Sequence, residues 1–582
     1  MTSPRLASLP RHQHIDELRP ILPQMKASGY TGIWIENEEL PWTVEDPSAN
    51  REFQGNWKLM DLDDLTAGPH AADYDRYFDD LGAQCLANGL DLCLSLWLPR
   101  LSQRLCDHLR ATRPKAIGKA MQHGRGPFPT LCTCADGEGL AVIRESLGGF
   151  LRRHPAITMV KVATEDNSAI CCDPDCPNAH GSTRAEHAGN LFATVEQTIV
   201  ATNPRARLML YPWFWEANYR AAILPRLTSD YLVVAKVGMD ARGTGDGLAP
   251  CEGSFDCTLT TEGAGPKITE WVARVGADRV VAMLAVRNSV DSMWVANPPY
   301  PGRLWRTWQD LRRQGVAGFL DFECGGWVPG SANSALKNFV DNPDRDQATA
   351  LVAIARDLDL NPQATGHAIA GWNAMDRAWG LLPITLGETG VSGWSSRFGF
   401  AWSMAIATPL LMNVGFGGSD RGHAIHWFSP YHFFNLSTGP RVAVCFQRVL
   451  APMTEALHEL ALAAGFSGNE ILRREAVAAQ ALVWSVQSAL LWCAAPERAA
   501  AGPVAFAPLR AQAIDLATRM RALRQANPWV WTNNCWHQDR TPQSQRGLAA
   551  GLADHPDCFT AAISAMEQEA AARPMAAGHV VG

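Results

Sequence analysis

A (β/α)8 TIM barrel followed by a mostly helical C-terminal domain is the α/β fold that this sequence of 582 residues predicts. Three observations lead to it. Short apolar, β-rich runs alternate with segments of helical periodicity from Thr31 to Ser331. Eight such units in about 300 residues suit a closed barrel. No G-x-G-x-x-G follows the first strand, which removes one reason to prefer an open doubly wound sheet. Beyond Ser331 the texture changes to alanine-rich helical patterns.

The elements follow in order. TGIWIE (Thr31 to Glu36) reads as a strand running into an acidic loop. Asp75 to Asn88 reads as a helix, with Tyr74, Tyr77, Phe78, Leu81 and Cys85 at helical spacing and Gly89 where a C-cap belongs. LDLCLSLW (Leu90 to Trp97) is the next strand, and FPTLCTC, ending at Cys134, is taken as the third and least regular. A helix from Val142 to Arg153 stops before Pro155. ITMVKVAT (Ile157 to Thr164) is a buried strand, followed by a helix marked by Leu191, Val195 and Ile199. ARLMLYPW (Ala206 to Trp213), DYLVVAK (Asp230 to Lys236) and RVVAMLAV (Arg279 to Val286) continue the series. Leu304, Trp305, Trp308 and Leu311 mark a helix ended by Gly315, and VAGFLDFE (Val316 to Glu323) is the last strand.

After Ser331, DQATALVAIARDLDL, GPRVAVCFQRVLAPMTEALHELALAAG and LRAQAIDLATRMRALRQA are helical by periodicity. The expected organisation is an N-terminal segment 1–30, a barrel 31–331, a helical domain 332–572 and a tail 573–582.

Hydrophobic residues make up 47% and charged residues 19%, a globular balance. The net charge of −7 supplies no basic field for a phosphate backbone, so nucleic acid is excluded as an expected partner. The N-terminus lacks the apolar core of a secretory signal. The longest apolar stretch, Phe398 to Phe416, is interrupted by Pro409, Asn413 and two glycines, and reads as a buried helix rather than a membrane span. The fifteen cysteines, odd in number and scattered, point to reduced thiols and a cytoplasmic setting. Tryptophan is abundant, 21 against 8 tyrosines; its rings can pack a core or stack on a ligand.

In such a barrel the C-terminal strand ends face the active site. Those ends carry Glu36; Trp97 and Arg100; Glu165 and Asp166; Trp213 and Trp215; Lys236; Arg287; and Asp321 and Glu323, with Trp327 beyond. Carboxylates from several strands, interleaved with tryptophans and a few cations, are the groups that glycoside hydrolysis needs. One acid protonates the leaving oxygen, while a second group attacks or activates water. Crowding raises the pKa of one carboxyl and keeps it protonated. The plain alternative is that each acidic residue after a strand is a helix N-cap or a solvated loop residue. Arg100 and Arg287 equally suit an acidic group on a substrate or pairing with these carboxylates.

Cys171, Cys172, Cys176 and His180 fall within ten positions of the loop after Thr164. They are candidate zinc ligands, although the usual C-x2-C spacing is absent and a packed cluster of reduced thiols explains them as well. No cofactor is expected.

The stretches KVATEDNSAICCDPDCPNAHG, LCTCADGEGLAVIRESLGGFLRRHPAI and PGRLWRTWQDLRRQGVAGFLDFECGGW resemble bacterial TIM-barrel proteins of the glycoside hydrolase superfamily. In these a fourth strand ends in acidic residues and a cysteine-containing loop follows. The sequence is distantly similar to family 20 β-N-acetylhexosaminidases and to α-glucuronidases. The first comparison implies Glu165 as acid and Asp166 as the orienting residue, although the order here is Glu-Asp where that family has Asp-Glu. The second implies Glu165 as acid and Glu323 or Asp321 as base.

The expectation is therefore a glycoside hydrolase acting on a small glycan. Glu165 and Asp166 are paired with Glu323 or Asp321, and Glu36, Trp97, Arg100, Trp213, Trp215, Arg287 and Trp327 line the substrate. Two alternatives stand beside it: a non-hydrolytic carbohydrate-binding protein on a degenerate barrel, and a metal-dependent enzyme built on the cysteine and histidine loop. The sequence leaves the oligomeric state open.

Overall fold

The structure is a computed structural model, and it describes residues 3–8, 18–36, 71–99, 103–122, 126–134, 137–164, 170–171, 183–212, 217–238, 263–284, 286, 295–316, 318–321, 327, 329–381, 439–527 and 529–530. Its strands are β1 (Arg5–Ser8), β2 (Gly32–Glu36), β3 (Asp91–Trp97), β4 (Ile117–Gln122), β5 (Gly126–Leu131), β6 (Ile157–Ala163), β7 (Arg207–Tyr211), β8 (Leu232–Lys236), β9 (Val280–Leu284) and β10 (Gly318–Asp321). Eight of them close a barrel in the order β1-β10-β9-β8-β7-β6-β3-β2, and β4 and β5 form a separate two-stranded sheet.

The expected barrel is present, with one exchange among its strands. FPTLCTC is not a barrel strand. Its first residues belong to β5, which pairs antiparallel with β4 from Ile117↔Leu131 to Gln122↔Gly126. Pro127 and Pro129 lie in β5 and lack the amide hydrogen a central barrel strand must donate on each side. The vacated place belongs to β1. It pairs parallel with β2 (Leu6↔Gly32) and with β10 (Leu6↔Leu320), closing the barrel. Four residues are too few to show a period, so β1 is unreadable from the sequence pattern. The structure holds it by side chains: Thr31 Oγ1 accepts from the Arg5 amide at 2.8 Å, and the Arg5 guanidinium donates to Gly29 O at 2.8 Å.

The chain divides into two compact units. The first comprises Met1–Ala235, Trp271–Ala282 and Val316–Leu320; the second comprises Lys236–Glu270, Met283–Gly315 and Asp321–Gly582. In the first, β6 (ITMVKVA) is almost continuously buried, as parallel strands covered on both faces must be. Helix Glu138–Arg153 precedes β6, and helix Arg184–Thr202 follows it. The latter starts on a capping box, in which Thr183 and Glu186 satisfy each other's backbone amides.

In the second unit, helices Pro362–Leu381, Gly439–Ser467 and Glu470–Ala500 pack against one another in succession. Asp376 lies between two guanidiniums, at 2.8 Å from Arg303 Nε and 2.7 Å from an Arg306 nitrogen. The carboxyl of Glu475 is buried and accepts from the Ser331 amide at 2.7 Å and the Trp372 indole at 2.8 Å. Burial pushes this carboxyl up from its ordinary value, and those two donors oppose the shift.

Trp34, Trp271, Trp305, Trp372 and Trp379 are among the largest fully buried side chains. Much of the tryptophan excess is therefore packing. Among the described residues no helix is long and apolar enough to cross a membrane.

Candidate active site

The barrel strands of the first unit bring a row of residues into register. Glu36 of β2 pairs with Ser95 of β3, Ser95 with Lys161 of β6, and Lys161 with Met209 of β7. One step on, Trp97 pairs with Ala163 and Ala163 with Tyr211. Lys161 has no exposed surface. Its ammonium lies 4.0 Å from the centroid of the Trp34 ring and 5.1 Å from that of Tyr211. Those rings belong to β2 and β7, on either side of the β3–β6 pair, so the side chain of Lys161 projects into the barrel interior. A buried ammonium requires compensation, and aromatic faces supply part of it.

Lys161 is the residue that the sequence reading passed over. Its signal was present: a single charge inside an otherwise apolar strand, ITMVKVA. A lysine there would be costly as mere filling.

Two buried hydroxyls accompany it. Ser95 Oγ, in register with Lys161, and Thr164 Oγ1, next after β6, have no hydrogen-bond partner among the described residues. Buried hydroxyls are normally satisfied, which sets these two apart from the apolar residues around them.

In the second unit, Asp321 ends β10 with no exposed surface, and its Oδ1 accepts from the Val286 amide at 2.9 Å. Lys236, at the end of β8, and Trp327 are also buried. Of the other expected residues, Glu165, Asp166, Glu323, Arg100, Trp213, Trp215 and Arg287 lie outside the described residues. So do the side chains of Glu36 and Trp97, whose backbones are the register positions given above.

The cysteine loop is resolved differently from its sequence grouping. Cys172, Cys176 and His180 lie outside the described residues, whereas Cys171 is buried against Cys132 and Cys134. The three Sγ atoms all lie within 4.8 Å of one another. The Nδ1–H of His187 donates to Cys171 O at 2.9 Å, and the same nitrogen is 3.8 Å from Cys134 Sγ. The neighbouring thiols of Cys132 and Cys171, and then burial, push the Cys134 thiol far up from its ordinary value. The contiguous grouping missed Cys132 and Cys134 because they come from the segment after β5, which the sequence reading assigned to a barrel strand.

No family model matches the chain, and no curated protein matches it. Solved structures do. A GH138 enzyme targeting pectin rhamnogalacturonan II superposes with a TM-score of 0.52 at 9% identity, covering 98% of this chain and 68% of that one. A family 89 glycoside hydrolase from Clostridium perfringens, in complex with PUGNAc, superposes with a TM-score of 0.51 at 10% identity, covering 98% of this chain and 64% of that one. The chain thus spans about two thirds of the length of these structures. The closed eight-stranded barrel has the fold seen in TIM-barrel glycoside hydrolases, and a helical C-terminal region is present in the chain.

Proposed function

We propose that the chain is a glycoside hydrolase that acts on a small glycan through paired carboxylates. The observation that carries the reading is the end of β6. That strand carries the buried Lys161 towards the C-terminal side of the barrel and ends beside Thr164, whose hydroxyl has no partner among the described residues, and Glu165 and Asp166 follow directly in the sequence. In barrels of this kind that side carries the chemistry.

In this reading Glu165 is the general acid and Asp166 orients the substrate. Asp321 or Glu323, at and beyond the end of β10, is the nucleophile or base. A cation in the interior lowers the cost of holding a second carboxylate ionised beside the protonated acid. Lys161 fits that role. Glu36, Arg100 and Arg287 supply further polar contacts, and Trp97, Trp213, Trp215 and Trp327 the ring platforms. A cytoplasmic setting belongs to the reading and is supported by Cys85, Cys93 and Cys106, which are buried free thiols.

A panel of aryl and natural glycosides, assayed for released sugar, tests it. Turnover of at least one glycoside supports the reading. Tight binding of sugars without turnover of any supports the non-hydrolytic alternative.

A further inference from the structure

We infer that Cys132, Cys134 and Cys171 form a zinc-binding site of three thiolates, its fourth position left to a ligand from outside this set, with His187 holding one of its ligating segments in place. The inference is independent of the glycosidase reading.

Two separate segments converge to make the cluster. Cys132 and Cys134 follow β5, and Cys171 lies in the chain that leaves β6, 37 positions beyond Cys134. All three are fully buried. An odd set of three thiols has no complete disulfide pairing, whereas three soft sulfur donors suit zinc over a hard cation. With Zn–S bonds of about 2.3 Å, tetrahedral thiolates stand about 3.8 Å apart. The observed separations, within 4.8 Å, leave only a small contraction to be made on binding.

The surrounding backbone is shaped to this set. A Cβ on Gly118 would overlap the Cys171 Sγ, and its next contacts would be Cys171 Cβ at 3.1 Å and Cys132 Cα at 3.5 Å. A Cβ on Gly137 would fall 2.9 Å from Cys132 O, 3.0 Å from Cys134 O and 3.3 Å from Cys132 Sγ. Backbone therefore closes around the thiols where any side chain would push it away. His187 adds the outer support common around bound metals. Its Nδ1–H binds the Cys171 carbonyl, which fixes the ring tautomer and leaves Nδ1 a donor facing Cys134 Sγ.

Binding breaks one S–H bond at each cysteine and forms one Zn–S bond in its place. Three protons leave to solvent, and nothing is oxidised or reduced. The metal would join the exit of the β4–β5 hairpin to the chain that follows β6.

The test uses the full chain, expressed with zinc in the medium and purified without chelator. Elemental analysis should find one zinc per chain. Replacement by cobalt(II) should give intense thiolate-to-cobalt absorption in the near ultraviolet. The combined variant Cys132→Ser/Cys134→Ser/Cys171→Ser should lose both signals, and Cys106→Ser should keep both. If the combined variant does not fold, the wild-type chain still decides: chelator-stripped protein titrated with zinc by calorimetry should take up one equivalent per chain, with a heat that varies with the buffer's ionisation enthalpy as proton release requires. Absence of stoichiometric zinc, zinc retained in a folded combined variant, or no calorimetric uptake of zinc by the stripped wild-type chain would overturn the inference.

Discussion

The ammonium of Lys161 sits 4.0 Å from the centre of the Trp34 ring, inside the barrel, with the Tyr211 ring 5.1 Å away. This places a buried amine on the strand that leads to Glu165 and Asp166. Lys161→Met keeps the volume and removes the charge. We expect a drop in glycoside turnover of about 100-fold or more, comparable to the loss of one preorganised electrostatic donor. Circular dichroism should still report a folded barrel. Unchanged turnover in the folded variant would remove Lys161 from the mechanism.

Asp376 tests the helical region. It faces Arg303 and Arg306 together, and both it and Arg303 are buried. Asp376→Ala leaves two guanidiniums without their counter-charge, one of them buried. Breaking a buried pair from one side costs about 3–5 kcal/mol. Denaturant unfolding should show a loss in that range, with Asp376→Asn falling between wild type and the alanine variant. A loss below about 1 kcal/mol would mean that solvent already reaches the network.

Glu475 gives a pH dependence of defined sign. Its folded pKa is raised by burial, so between the unfolded value and the folded one the native state holds a proton that the unfolded chain releases. Stability from this group is therefore full below the ordinary glutamate range and declines as pH rises through that window. Glu475→Gln cannot titrate, but its amide nitrogen must face one of the two donors, Ser331 N or Trp372 Nε1. The variant should be less stable than wild type at low pH, by about 1–3 kcal/mol. The gap should narrow as pH rises above the ordinary glutamate value. Thermal unfolding of both proteins across this range checks the sign, and a gap that widens with pH would contradict it.

Legibility in the sequence followed strand length and burial. β6, β8 and β9 read directly because continuous apolar runs of this length have few other uses. β1 did not, since RLAS has no period and acquires its place only from neighbours distant in sequence, Gly32 and Leu320. FPTLCTC misled because its apolar content outweighed Pro127 and Pro129, which mark a hairpin strand rather than a central one.

For the site, the strand rule directed attention to the ends of β6 and β10, which the proposed function uses. Lys161 escaped because a strand interior was read for hydrophobicity alone. The cysteine cluster escaped because proximity in sequence stood in for proximity in space: Cys171 joins Cys132 and Cys134 from an earlier segment.

The carboxylate after β6 is the centre of the account, and Glu165→Gln tests it most directly. The measurement is kcat/KM of wild type and variant on the best glycoside of the panel, with circular dichroism confirming that both fold. The account predicts that the variant loses about 100-fold or more, as removal of a general acid does. A folded Glu165→Gln variant with wild-type kcat/KM would contradict the account.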